Sequence, residues 1–380
     1  MGETPFTFTL EPAAVADLRD RLGRTRWPER EAVEDWSQGV PLEWLQDMCE
    51  YWRDDFDFAA FAQRLNQFPQ FRRELDGLGI HYIHARSPEP DAVPLIMTHG
   101  WPGTVVEFLK VIGPLSDPRA HGGDPADAFH VVCPSLPGYA FSDKPKRNGW
   151  GLEKIGAAWA TLMSDLGYDS YVAQGGDWGA GVTACIGALD PAHCRAIHVN
   201  IVPSFPNEEQ LASPTPEEMV ELQKMATHQR WGTGYSQEQM TRPQTIGYSL
   251  VDSPTGQAAW ILEKFWAWTD CDGHPENALH RDDLLDNVSL YWFTASGASS
   301  ARLYWESFEQ FGTAGGPVRV PTGVTHFPKE VANMSRRWAE NRFSNINHWN
   351  SVDKGGHFAA FEQPEIFIDE VRTCFRSTRK

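Results

Sequence analysis

The sequence predicts an α/β protein. It has a mostly parallel β-sheet covered by helices on both faces, an inserted helical cap and an N-terminal extension. Three observations carry this reading. From about residue 78, short strand-like runs alternate with helical stretches. From about 203 to 313 the chain reads as helical between breaker-rich ends. Residues 1 to about 75 carry several tryptophans but no strong strand signal.

In the N-terminal stretch, 15–22 has helical spacing, and 41–48 starts another helix with Pro41 in its first turn. Trp27, Trp36, Trp44 and Trp52 mark a segment that wraps a larger body instead of folding alone. Strands follow at 80–84, which alternates, and at 94–97, 129–133, 171–174 and 196–199. The helical interval begins at Pro203-Ser204-Phe205-Pro206, includes a helix at 257–265, and ends between Gly312 and Pro317. Two last strands are expected at 318–321 and 345–349. The expected division is a wrapping segment at 1–75, the first part of the sheet domain at 76–202, the cap at 203–313 and the rest of the sheet domain at 314–380.

A chain of 380 residues is ample for one large core. A net charge of -18 argues against nucleic acid or an anionic membrane as partner. Six cysteines are scattered without a C-x-x-C pair, as in a reducing compartment, and Cys133 and Cys185 lie in apolar runs as expected buried thiols. The first residues lack a basic n-region and an apolar h-region, and no apolar stretch approaches the ~20 residues of a membrane helix. The expectation is a soluble, cytoplasmic protein without a membrane anchor, with a homo-oligomer left open. Sixteen tryptophans and 21 phenylalanines belong mostly to the core, with a subset available to line an aromatic pocket.

The chemistry centres on Gly175-Gly176-Asp177-Trp178-Gly179, between the strand at 171–174 and a small-residue helix. This is a nucleophile-elbow pattern with Asp where a serine hydrolase carries Ser. A carboxylate is ionised at neutral pH without a base to activate it, and it suits attack on an alkyl carbon. Upstream, His99-Gly100-Trp101-Pro102 follows a strand. Alone it reads as a plain strand-to-helix turn. Paired with the elbow, the backbone N–H groups of Trp101 and Trp178 are candidates for an oxyanion hole. His357, in Gly355-Gly356-His357-Phe358 after the last strand, is the candidate general base. Glu330, beyond the next core strand after the cap, is the candidate acid to orient it, with Asp353 a weaker competitor. An alkyl carbon open to such attack belongs to an epoxide or an alkyl halide; if Asp177 attacks an epoxide, the departing oxygen needs a proton donor, and a phenol serves. The cap offers Tyr235, Tyr248, Tyr291 and Tyr304.

Together these motifs resemble the α/β-hydrolase-fold epoxide hydrolases, in the microsomal-type branch with its own N-terminal domain. The resemblance covers nearly the whole chain: the Trp-rich opening, H-G-W-P at 99–102, G-G-D-W-G at 175–179, D-S-P-T-G at 252–256 and G-G-H-F-A-A at 355–360. It implies Asp177 as nucleophile, His357 as base, Glu330 as orienting acid, and Tyr235 and Tyr304 as the pair that protonates the epoxide oxygen. It further implies the amides of Trp101 and Trp178 as the oxyanion hole, no cofactor or metal, and an epoxide and water as the partners. Animal-membrane members of this family begin with an anchor helix, which is absent from the first residues here. The aromatic cap points to bulky or aryl epoxides, in detoxification or secondary metabolism. The rival readings are a haloalkane dehalogenase, which uses the same Asp-His-acid set with Trp178 a candidate halide donor, and, remotely, a non-catalytic binding protein on the same fold.

Overall fold

The computed structural model describes residues 3–378. The chain opens with β1 (Thr4–Phe6), α1 (Pro12–Gly23), α2 (Leu42–Asp54), α3 (Phe58–Leu65) and β2 (Gln70–Leu75). It continues through β3 (Leu78–Ala85), β4 (Val93–Thr98), α4 (Leu109–Ser116), β5 (Phe129–Pro134), α5 (Leu152–Asp165), β6 (Tyr171–Gly175), α6 (Asp177–Leu189) and β7 (Cys194–Val199). An all-helical stretch follows: α7 (Glu208–Ala212), α8 (Pro216–Trp231), α9 (Gly234–Thr241), α10 (Pro243–Asp252), α11 (Pro254–Trp268), α12 (Arg281–Phe293) and α13 (Gly297–Ser307). Then come β8 (Thr322–His326), α14 (Arg336–Ala339), β9 (Ile346–Ser351), α15 (Ala359–Glu362) and α16 (Pro364–Phe375).

The strands form one sheet of nine in the order β1-β2-β3-β5-β4-β6-β7-β8-β9. Pairing is antiparallel from β1 to β5 and parallel from β5 to β9. No residue of β6 or β8 is exposed, the pattern of strands covered on both faces. Parallel pairing brings the carboxyl ends of β4, β6, β8 and β9 to one edge. The loops that carry His99, Asp177, Glu330 and His357 leave from that edge.

Three expectations about strands need correction. Residues 1–75 do contain strands, β1 and β2. β2 turns into β3 through Asp76 and Gly77, both at positive φ, the Asp-Gly hairpin turn that matches strand twist. Gln-Phe-Arg-Arg-Glu-Leu is mostly polar, so this strand lacks the apolar run that marks the others. The strand expected at 318–321 lies instead at Thr322–His326. Val318 makes only an isolated bridge to Phe343, and Pro321 has no N–H to give to a ladder, so pairing starts after it. The last strand is longer than expected and runs to Ser351. All six cysteines are buried and free.

Candidate active site

Asp177 is the first residue of α6, with φ at 48°, in the left-handed region that a non-glycine residue adopts only at a cost. The surrounding packing enforces this. A Cβ on Gly179 would collide with the Thr98 carbonyl, so glycine lets α6 close on the end of β4. A Cβ on Gly100 would collide with the Asp177 side chain, so glycine there leaves the carboxylate its place.

The loop after β4 supplies the first partner. The Trp101 N–H donates to Asp177 Oδ1 at 2.8 Å. Trp178, in the first turn of α6, has an N–H without an intrahelical acceptor. His99 pins the loop. Its Nε2 accepts from the Leu136 N–H at 3.2 Å, which leaves Nδ1 to donate to the Gly100 carbonyl at 2.9 Å. Burial pushes its ionisation down to about 4, so it stays neutral. From the other side α12 grips the same loop. Asn287 Nδ2 donates to the Pro102 carbonyl at 2.7 Å, Thr104 Oγ1 to Asn287 Oδ1 at 2.9 Å, and the Tyr291 hydroxyl to the Gly103 carbonyl at 3.1 Å.

His357 comes from the loop after β9. Its Nε2 lies 3.3 Å from Asp177 Oδ2, and its Nδ1 lies 2.8 Å from Glu330 Oε1. Glu330 is 4% exposed, and its Oε1 also accepts the Val331 N–H at 2.7 Å. Burial by itself would lower the ionisation of His357. The carboxylates of Glu330 and Asp177 outweigh it, and the imidazole is held well above its ordinary value. Asp353, the competing acid, is exposed. Asn200, at the end of β7, accepts from Gln174 Nε2 at 2.6 Å.

Of the four tyrosines, two reach this centre. The ring of Tyr235, from α9, stacks on Trp101 with centroids 5.0 Å apart and planes at 7°. Tyr304, from α13, meets Trp101 edge-on at 5.8 Å and Trp178 at 4.8 Å. Burial, reinforced by Asp177, raises both phenols, so both are protonated at neutral pH. Tyr291 spends its hydroxyl on the loop, and Tyr248 is 69% exposed.

Sequence reading missed three groups here. Glu107, in the short turn Val105–Phe108, shares with Asp177 and His357 a cavity of about 20 Å³, room for about one water. Burial pushes its carboxyl up to about 8, with Asp177 adding to the shift and His357 opposing it. Glu362 accepts the N–H groups of Gly356 and Phe358, on either side of His357. Lys264, on α11, places its ammonium against the Tyr235 ring. A Glu or Lys on a helix is by default a solvated residue, and residue type alone does not mark these. Among the described residues no group of three or more His, Cys, Asp or Glu is placed to hold a metal, and no helix is long and apolar enough to cross a membrane.

The chain matches the family model of the epoxide hydrolase N terminus over residues 3–108 and that of the α/β hydrolase fold over 93–245. Epoxide hydrolase 1 of Sus scrofa is 33% identical, over 97% of this chain and 87% of its own length. The crystal structure of juvenile hormone epoxide hydrolase from Bombyx mori superposes with a TM-score of 0.88 at 30% identity, covering 100% of this chain and 96% of that one. The Aspergillus niger epoxide hydrolase structure gives 0.88 at 33% identity, covering 99% and 97%. With its fold and its N-terminal segment both matched, the chain belongs to the epoxide hydrolases of the α/β-hydrolase fold, in the microsomal-type branch.

Proposed function

We propose that the chain hydrolyses its epoxide in two steps, through an ester on Asp177. One observation carries the reading. The two oxygens of Asp177 face different partners, Oδ1 the Trp101 N–H at 2.8 Å and Oδ2 the His357 Nε2 at 3.3 Å. Asp177 displaces the ring oxygen at carbon while Tyr235 and Tyr304 donate to that oxygen, giving a hydroxyalkyl ester. Esterification removes the Asp177 charge that helps to hold a proton on His357, and the neutral imidazole, oriented by Glu330, then takes a proton from water, which adds to the ester carbonyl. The N–H groups of Trp101 and Trp178 stabilise the oxyanion, and collapse releases the diol. The helices at 203–313 act as the cap over this chemistry. The aromatic faces of Trp101, Tyr235, Trp268 and Tyr304 favour a bulky or aryl epoxide.

A single turnover with enzyme in excess, in oxygen-18 water with styrene oxide, tests the route. The label is expected in the Asp177 carboxylate, read by peptide mass, with an unlabelled diol. A labelled diol over an unlabelled Asp177 means direct hydration and overturns the proposal. His357→Gln is expected to accumulate the ester as a stable adduct, with turnover down by about 10²-fold or more.

A further inference from the structure

Lys264 carries a charge for which the two steps above have no use. It lies on α11, with its side chain only 8% exposed, although lysine is among the residue types least often buried. A lysine stem often packs while its head reaches water. Here almost the whole side chain is covered, and its head lies against two aromatic rings. Nζ lies 4.5 Å from the ring centroid of Tyr235 and 5.5 Å from that of Trp268. Its carboxylate partner is the adjacent Glu263. Taking an ammonium out of water is costly, and a methionine would fill the same space without that cost. The charge itself therefore needs an explanation.

The ring under Lys264 belongs to one of the two phenols beside Asp177. Tyr235 sits among anions. Burial does most to hold its proton on, Asp177, Glu263 and Glu330 add to this, and Tyr304 opposes it. Such a phenol keeps its proton well but pays heavily for the negative charge left when it gives the proton away. A cation on the ring face offsets that charge, and most strongly where water is excluded.

We propose that Lys264 is a positioning residue for proton donation by Tyr235, its ammonium stabilising the charge that grows on the phenol as the epoxide opens. The inference rests on the reading of Tyr235 as a donor. In the step, the Asp177–carbon bond forms, the ring C–O bond breaks and the oxygen takes the Tyr235 proton. The tyrosinate persists beside Lys264 until ester hydrolysis. Of the two protons the water brings, one ends on the diol and one returns to Tyr235.

The test follows both steps in single turnovers of styrene oxide by the full-length enzyme, with ester formed and ester lost read by rapid quench. Lys264→Met is expected to slow ester formation by about 30-fold, the scale of a desolvated cation–π contact expressed as a rate. Ester hydrolysis should stay within about twofold, and Lys264→Arg should keep formation near the parent rate. In a Tyr235→Phe background Lys264→Met should have no further effect. An equal effect in both backgrounds, equal slowing of both steps, or no slowing overturns the proposal. If Tyr235→Phe alone leaves ester formation unchanged, the donor reading fails, a result distinct from failure at Lys264. Should Lys264→Met not fold, Lys264→Gln carries the same comparison.

Discussion

At the residue scale, Glu107 makes the pH dependence specific. Its folded carboxyl titrates at about 8, against an ordinary value of 4.5. The native state therefore holds a proton that the unfolded chain releases between these values. Its contribution to stability is fully present below the ordinary value and is lost as pH rises through about 8. At neutral pH the group is a neutral acid beside Asp177, and ionisation would put a second anion in the same small cavity. Glu107→Gln keeps a neutral hydrogen-bonding group that cannot ionise. It should retain activity near neutrality and lose the inflection near pH 8 in a profile of kcat/KM. An unchanged inflection would assign it to another group. The contrast with Asp177 and His357 shows what a sequence can express. Those two candidates stand out in the sequence because strained turns and close approaches demand glycines at fixed offsets, as the collisions that a Cβ would meet at Gly179 and Gly356 illustrate. Glu107 and Lys264 carry no such punctuation, because their burial is created by residues distant in the chain.

At the element scale, the loop that carries His357 is fastened to the end of α11. The His357 N–H donates to the Trp268 carbonyl at 2.8 Å, and the Gly355 N–H to Asp270 Oδ2 at 3.0 Å. Glu362 completes the clamp, accepting from Asp270 at 2.8 Å, Gly356 at 3.1 Å and Phe358 at 3.0 Å. Burial pushes its carboxyl up to about 7, while these amides oppose the shift. Glu362→Gln points an NH2 group at backbone donors. Losing a hydrogen bond to a charged group costs about 1.5–3 kcal/mol. On the proposed route the expected result is a lower Tm together with slower hydrolysis of the ester, and little change in its formation, since Asp177 and the tyrosines are held by other elements. Equal slowing of both steps would show that the clamp does not act through His357. Most strand positions were readable from short apolar runs. The expectation for β8 falls four residues early because Val318 and Val320 look like a strand, whereas the proline that bars the ladder sits at the far end of that run.

At the scale of the whole molecule, the N-terminal helices fasten the helical insert. Trp52 Nε1 donates to Ser289 Oγ at 2.9 Å, the Tyr51 hydroxyl to Asp282 at 2.7 Å, and Trp36 stacks on Trp266 at 5.2 Å. Sequence reading expected a wrapping segment. It could not name the surface wrapped, because the partners lie more than 200 residues away, as the separation of 222 between Arg64 and Asp286 shows. That pair is the sharpest joint. The Arg64 guanidinium meets Asp286 through two bonds of 2.6 and 2.7 Å, and the Asp286 side chain is 3% exposed. Asp286 lies on α12, one residue before Asn287, which holds the Pro102 carbonyl in the loop that presents the Trp101 N–H. Arg64→Met strands a buried carboxylate. Breaking a fully buried pair costs about 3–5 kcal/mol, and the partial exposure of Arg64 places the expected loss near the lower end of that range. Burial already raises the Asp286 carboxyl to about 6, with Arg64 opposing. Without Arg64 it rises further, so the folded variant takes up a proton that the unfolded chain does not. The loss measured by urea unfolding should therefore be greatest near pH 8 and shrink as pH falls through the raised value. Adding Asp286→Asn should recover much of it, because no charge is then left unpaired. A loss that is the same at pH 5 and 8, or that the second substitution leaves unchanged, would mean that the joint holds by packing and not by charge.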